Sequence, residues 1–476
     1  MRFAGFIGPS YTLKSVNVDC QRCVNLYPEM NELGTGKERE VAYLIGTPGL
    51  STLATMAASV CRGMWTATNG ILYAVYGAKC YKVSSAWSAT ELGTLNSSTG
   101  PVSMADNGTH LCMVDGTDGY VVTLATDAFA EITDVDFPGA DQVTFQDGYF
   151  IFNEPDTGRF FISGLNSTAF DALDIATSEG NPDNVVAVMS DHRDLWVFNA
   201  KTTEVFFNSG NADFPFERVQ GAFIEHGCAA AFSVAKMNNT VFWLGQDERG
   251  AGIVYMATGY QPQRISTHAV ENAIRSYGDI STAVAYTYQE DGHFFYVLNC
   301  PNASTTWVFD SSTGMWHERV YTNAGVFERH RAQCHAYAYS THIVGDYANG
   351  KLYSMSSSVY SDAGDEISRT RIAPHATSGL KLVRHNSFQL DMEVGVGIDG
   401  SGQGVDPQVM MKFSDDGGHV WSNEKWVACG RIGQRKQRAL WRRLGMSRDR
   451  VYSVTITDPV KVILIGAEIN AVPGGA

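Results

Sequence analysis

Seven times between residues 69 and 341 the chain repeats one phrase, in which a polar turn leads into an aromatic-rich strand, a short link and a second strand. "NGILYAVYGAKCYKV" begins at Asn69, "NGTHLCMVDGTDGYVV" at Asn107, "DGYFIFNEPDTGRFFIS" at Asp147 and "HRDLWVFNAKTTEVFFNSG" at His192. "NNTVFWLGQDERGAGIVYMA" follows at Asn238, "DGHFFYVLNCPNASTTWVFD" at Asp291 and "THIVGDYANGKLYSM" at Thr341. Apolar residues alternate within the units, as in Leu72, Ala74, Tyr76 or Phe294, Tyr296, Leu298, the period of strands with one buried face. Asn-Gly and Asp-Gly pairs supply the positive φ that tight hairpin turns need. Successive starts lie 38, 40, 45, 46, 53 and 50 residues apart, the repeat length of β-propeller blades. A two-sheet sandwich also has regular strands but rarely sustains seven such units. The pattern predicts an all-β chain with a propeller over residues 45–375, of seven blades, or of six if an outer copy completes another blade.

Outside the repeat the periodicity changes. Residues 1–44 read as an extended N-terminal arm entering the fold. "AVENAIRSYG", from Ala269, suits a short helix inserted between units, and the polar segment 356–378 reads as a linker. Beyond it, residues 379–476 alternate again and predict a small antiparallel β-sheet module packed on the propeller.

Charge and cysteine usage narrow the function classes. A net charge of −15 argues against wrapping nucleic acid, because phosphate affinity comes from Lys and Arg releasing counterions. The distribution is uneven: "RIGQRKQRALWRRLGMSRDR", residues 431–450, holds eight Arg and Lys against Asp449, a local +7 that leaves −22 for the remainder. Such a segment is either a face paired with the chain's own acids or a docking surface for an acidic partner. No apolar run is long enough to span a membrane, and the N-terminus carries no apolar stretch of the kind a secretory signal has, so folding in the cytoplasm is expected. Nine scattered cysteines fit buried reduced thiols. Cys20 and Cys23 form a lone C-x-x-C with no second half at zinc spacing, so no metal is expected there.

No constellation amounts to a catalytic, cofactor or metal site. Ser414, Asp416, Gly418 and Trp421 match the Asp-box S-x-D-x-G-x-x-W, a hairpin common in sialidase propellers, but only one full box is present and it lies outside the repeat. His330, Cys334 and His335 cluster in sequence within a loop and strand, where structural roles are the default. The acidic stretch 134–142 lacks calcium-loop spacing, and Gly250 and Gly252 suit hairpins rather than a phosphate loop.

The stretch after the C-x-x-C carries the strongest family signal. Asn25, Tyr27, Pro28 and Glu29, a Gly-containing gap, then Thr47, Pro48, Gly49 and Leu50 resemble the entry segment of the packaged-DNA stabilisation proteins of short-tailed bacteriophages. Trp441, Arg443, Leu444, Gly445 and Arg448, followed by a β pair from Val451, are similar to that family's ending. The resemblance implies a non-enzymatic virion protein of the tail, assembled in the host cytoplasm. It would form a homo-oligomeric ring, hexameric in this reading, below the portal or adaptor ring and above distal tail proteins. The ring would continue the channel through which double-stranded DNA passes without specific binding, and would retain the packaged genome. The alternatives left open are a sialidase-like enzyme and a carbohydrate-binding propeller. For a ring subunit the basic segment becomes a docking surface, with Arg435, Arg438, Arg442 and Arg443 as contacts and Trp441 as a buried anchor.

Overall fold

The structure is a computed structural model that describes residues 2–31, 42–56, 59–379 and 381–473. Four of the repeat phrases open on two-residue turns in which both residues have positive φ, Asp147-Gly148, His192-Arg193, Asn238-Asn239 and Asp291-Gly292, and the phrase at Thr341 directly follows a fifth, Tyr339-Ser340. This is the primed turn whose twist matches that of the strands it joins. Each phrase therefore marks the tip of a blade's first hairpin. The innermost strand precedes it, as Cys61–Thr66 precedes Asn69, so every blade begins one strand upstream of the phrase.

Seven antiparallel sheets result. Blades one to four run from Cys61–Thr66 to Ala89–Thr94, Ser103–Asp106 to Ala128–Glu131, Val143–Gln146 to Ile175–Thr177, and Val185–Asp191 to Phe216–Ile224. Blade five is built on Thr240–Asp247, and the helix His268–Arg275, capped by Thr267, connects it to blade six. Blade six runs from Val284–Glu290 to Met315–Glu318. Blade seven takes three strands from Ala332–Ser356 and its outermost, Gly49–Thr55, from near the N-terminus, with Leu50 opposite Met355 and Thr55 opposite Lys351. The circle is closed by the two ends of the propeller segment.

The single buried face expected of the strands is an underestimate. All five residues of Leu72–Tyr76 are buried. Leu72, Ala74 and Tyr76 pack on blade seven, whereas Tyr73 and Val75 pack on blade two. Alternation thus sorts side chains between two interfaces rather than between core and water. The same holds around the ring, where seven apolar clusters each fill one inter-blade gap.

Beyond the propeller lies a β-sandwich with its own core, which includes Phe6, Cys23, Leu44, Phe388, Trp441 and Tyr452. One sheet is ordered Leu26–Met30, Ala42–Gly46, Ile463–Pro473, Val383–Met392, Ala439–Arg442. The other continues blade six outward. After Met315–Glu318 come Cys20–Val24, Arg369–Ile372, Asp449–Ile456, Gln408–Ser414 and Lys425–Ala428, nine strands in a single radial order. The junction is one parallel pair, Val24 with Glu318. The segment expected as a linker supplies a central strand of this sheet. Its "RTRI" reads as polar, yet Arg369 and Arg371 are fully buried.

Candidate functional site

The axial mouth of a propeller is the usual place for a ligand. Here it is a cavity of about 750 Å³ where the innermost strands begin, lined by small residues around Arg62, Asp141, Arg329 and Tyr347. Both guanidinium groups are already committed. Arg62 donates to the carbonyls of Gly77, Ser97, Thr99 and Gly100 and to the Ser97 hydroxyl, at 2.6 to 3.0 Å. Arg329 lies 3.7 Å over the Tyr347 ring and donates to Gln333 at 2.7 Å. Asp141, its pKa raised by burial, accepts from Asn153. These groups make neither a nucleophile and base nor an arginine triad free to grip a carboxylate.

A denser polar constellation occupies the seam between propeller and sandwich, and the N-terminal motif builds it. Asn25 has φ of +52°, a conformation that Asn tolerates better than most residues. Its amide donates to the carbonyls of Val320 and Ser368 at 3.0 and 3.1 Å and accepts from the Val320 N–H at 2.9 Å. Its own N–H reaches the Glu318 carbonyl, and its carbonyl accepts from Thr47. One side chain thus ties blade six to the sandwich entry. Tyr27 stands edge-on against Phe295 and His293, and Glu29 reaches His293 Nε2 at 2.8 Å while Asp310 holds Nδ1 at 2.8 Å. Burial opposes charge on His293, but its hydrogen bonds to Asp310 and Glu29 outweigh that and push its pKa up to about 9. Neighbouring His317, buried without such partners, is pulled down to about 3. The first is an imidazolium at neutral pH and the second is neutral.

Arginines complete the seam. Arg22 pairs with Glu318, which also accepts from Ser10, and buried Arg319 donates to the Pro48 carbonyl at 2.6 Å. Arg371 lies in a cage of oxygen atoms, the carbonyls of Gly5, Phe6, Pro9 and Arg22 and Gln21 Oε1, at 2.6 to 3.3 Å. Burial lowers its pKa to about 10, so it stays cationic at neutral pH, held by dipoles rather than a counter-charge. Gly49 lies so close to this linker that an added Cβ would meet the carbonyl oxygens of Val359 and Ser361 at 2.5 and 2.6 Å.

The basic segment lies on the sandwich rim farthest from the propeller, since Ala439–Arg442 and Lys425–Ala428 are the last strands of their sheets. Arg435, Arg438, Arg442 and Arg443 are all exposed there. Arg438 donates to Gln389 and flanks, with Arg442, a groove of about 670 Å³ over the outer face. Trp441 turns inward instead, packing on Phe388 in the sandwich core and donating to the Lys425 carbonyl at 2.7 Å; it anchors the rim strand from within. Of the other basic residues, Arg431 pairs with Asp406, and Arg450 is buried against Asp415 and the Phe413 ring.

Other sequence candidates resolve into structural roles. The Cys23 thiol is buried in the sandwich core facing the Leu26 carbonyl at 3.1 Å, and burial pushes its pKa up to about 12, while Cys20 lies 3.9 Å from His375. His330 is buried and His335 contacts His342; among the described residues no group of three potential metal ligands converges. In the Asp-box, Ser414 donates to Asp416, which accepts from the Val420 N–H, pinning the turn between two sandwich strands. Sequence reasoning named Asn25 and Glu29 but missed His293, Asp310, Glu318 and Arg371. Their partners lie 264 to 366 residues away in most cases, and only the histidine at the head of "HFFYVL" hinted at a polar group on a core strand.

Two family models account for nearly the whole chain: "Bacteriophage P22 Gp10, beta-propeller" over residues 16–360 and "Bacteriophage P22 Gp10, beta-sandwich" over residues 368–472. No curated protein matches. Among solved structures, the chain is similar to the WD40 β-propeller domain of Doa1 (13% identity, 64% of this chain and 96% of that one, TM-score 0.40). It is also similar to the WD40 domain of Neurospora crassa Pan2 (9%, 65% and 95%, TM-score 0.43). A third is the extracellular domain of the hybrid two-component system BT4673 from B. thetaiotaomicron (12%, 75% and 43%, TM-score 0.44). With a seven-bladed propeller and a β-sandwich each matched by its own model, the chain belongs to the bacteriophage P22 Gp10 family of packaged-DNA stabilisation proteins, structural proteins of the phage tail.

Proposed function

We propose that this protein is the subunit of a tail hub, a hexameric ring assembled in the host cytoplasm below the portal or adaptor ring once the head is full. The ring continues the DNA channel, retains the packaged genome and offers a platform for distal tail proteins. The observation that carries this reading is the nine-strand radial order that fuses blade six to the sandwich, locked by Asn25, His293 and the buried arginines. A part that holds back pressurised DNA has to be a rigid wedge, and among the described residues a continuous sheet and a buried polar network join the two bodies. The net charge of −15 gives DNA little to bind as it slides past. The committed arginines of the axial mouth weigh against the sialidase-like and carbohydrate-binding alternatives.

The test is electron microscopy of the purified protein mixed with portal complexes, together with DNA release from filled heads that lack the protein. A ring of copies below the portal and restored retention are expected. Free copies, or release of sialic acid from a fluorogenic substrate that is abolished by Arg329→Ala, would overturn the reading.

A further inference from the structure

The two ends of the molecule carry opposite charge. Between Ser84 and His192 stand seventeen Asp and Glu and a single basic residue, Arg159, a net −16 that exceeds the charge of the entire chain. Blades two and three, Ser103 to Thr177, hold thirteen of these acids against Arg159, a net −12, and none of the thirteen is fully buried. Blade six is three steps from blade two in one direction and from blade three in the other. Blades two and three therefore flank the point diametrically opposite the blade from which the sandwich extends. The radial sheet carries its last strand roughly 40 Å from the propeller axis at ordinary strand spacing. The acidic wedge and the basic rim thus sit at opposite ends of one long axis.

Each end also presents apolar side chains among its charges. On the perimeter of blades two and three, Val135 is 94% exposed between Asp134 and Asp136, and Leu173 is 83% exposed between Asp171 and Asp174. The two loops are tied together, because Asp134 accepts from the Phe170 N–H at 3.1 Å. On the rim, Ile432 is 63% exposed beside Arg431, and Met446 is 50% exposed near Arg443. Arg435, Lys436, Arg442 and Arg443 form no ion pair among the described residues. Apolar contacts ringed by complementary charge are the composition of a specific interface. Two different, mutually complementary patches at opposite ends of one chain make a heterologous, head-to-tail contact, which generates a ring where the rotation between copies closes and a filament where it does not.

We propose that the partner of the basic rim is a second copy of this chain. Arg435, Lys436, Arg442 and Ile432 of one copy dock on Glu131, Asp136, Val135 and Leu173 of the next. This rests on the ring reading above and identifies the contact between neighbouring subunits. Two charge-reversed proteins test it, one with Arg435→Glu and Arg442→Glu, the other with Glu131→Lys and Asp136→Lys. All four positions are exposed, so folding, checked by circular dichroism, is expected to be unchanged. Sedimentation across a salt series is expected to show wild-type self-association at low salt, at least tenfold weaker in either variant alone. Mixing the two variants is expected to restore it, because one reversed surface then faces the other.

A wild-type chain that stays monomeric at low salt and high concentration would overturn the inference, as would self-association indifferent to both reversals. So would a rim variant that loses only DNA or portal binding while its copies still associate; the rim's partner would then be a different molecule. The same proteins are imaged on portal complexes to separate this contact from the hub reading. Rescue in the mixture without any portal binding would support the contact and remove the hub. Portal rings that ignore both reversals would keep the hub and remove the contact.

Discussion

Asn25 is the side chain on which the most depends. It makes three hydrogen bonds to two backbone segments more than 290 residues away, in a conformation that few residues other than Gly accept readily. Asn25→Ala leaves the carbonyls of Val320 and Ser368 and the Val320 N–H unpaired in a buried site, at a cost of about 1–3 kcal/mol for each unsatisfied group. The expected outcome is a clear fall in the denaturant midpoint with an unchanged slope; Asn25→Gly, which suits the backbone, is expected to fall nearly as far because the amide is still lost. His293 makes a pH prediction with a definite sign. Its pKa is raised to about 9 in the fold from 6.5, so its contribution to stability is complete below about 6.5 and fades as pH rises through about 9. Its partner Asp310 is held below the usual carboxylate range: burial works against this, but hydrogen bonding to His293 prevails. That contribution is therefore lost as pH falls through the acid range. Thermal melts of the wild type are expected to lose stability between about pH 6.5 and pH 9, and His293→Gln is expected to flatten that limb. The motif residues could be singled out in the sequence, but their partners could not. Nothing near Glu29 says that it will meet a histidine 264 positions later.

Strands differed in how openly the sequence announced them. The first hairpin was most legible where its primed turn carries Asn, Asp or Gly, as at Asp147-Gly148, Asn238-Asn239 and Asp291-Gly292; at His192-Arg193 and Tyr339-Ser340 the aromatic or apolar strand that follows was the signal. Outermost strands such as Ala128–Glu131 and Gln261–Arg264 were not legible, since they are mostly exposed and carry no apolar period. The strand Arg369–Ile372 was hidden for the opposite reason, its cations being buried against carbonyl oxygens that no local pattern reveals. Two predictions belong at this scale. Gly49→Ala places a Cβ about 2.5 Å from two backbone oxygens and is expected to detach Gly49–Thr55 from blade seven, losing about 3 kcal/mol or more. Arg371→Met keeps the volume but orphans the carbonyls of Gly5, Phe6, Pro9 and Arg22. Limited proteolysis is expected to cut within residues 2–19 of that variant long before the wild type.

At the scale of the whole molecule, the two bodies share one continuous sheet as well as the side-chain seam around Asn25 and His293. Calorimetry is expected to show one transition for propeller and sandwich together, where loosely tethered domains would show two. Residues 366–473 alone lack Cys20–Val24, Leu26–Met30 and Ala42–Gly46, and are expected not to fold. The basic rim could be picked out as a candidate from the sequence, but its position opposite the acidic blades became visible only once the blades were counted around the circle. The pairing of Gly49–Thr55 with Lys351–Ser356 also sets an order of events in the cell. The closing strand leaves the ribosome before any of the blades is complete, yet the strand that receives it follows some 300 residues later, roughly 15 to 60 s at ordinary elongation rates. The sandwich strands Cys20–Val24 and Ala42–Gly46 wait longer still, for Arg369–Ile372 and Ile463–Pro473 respectively. A prematurely terminated product therefore keeps unpaired edges and cannot present both ends of the finished subunit. The topology itself thus makes completion of the sandwich a condition for a fully paired subunit.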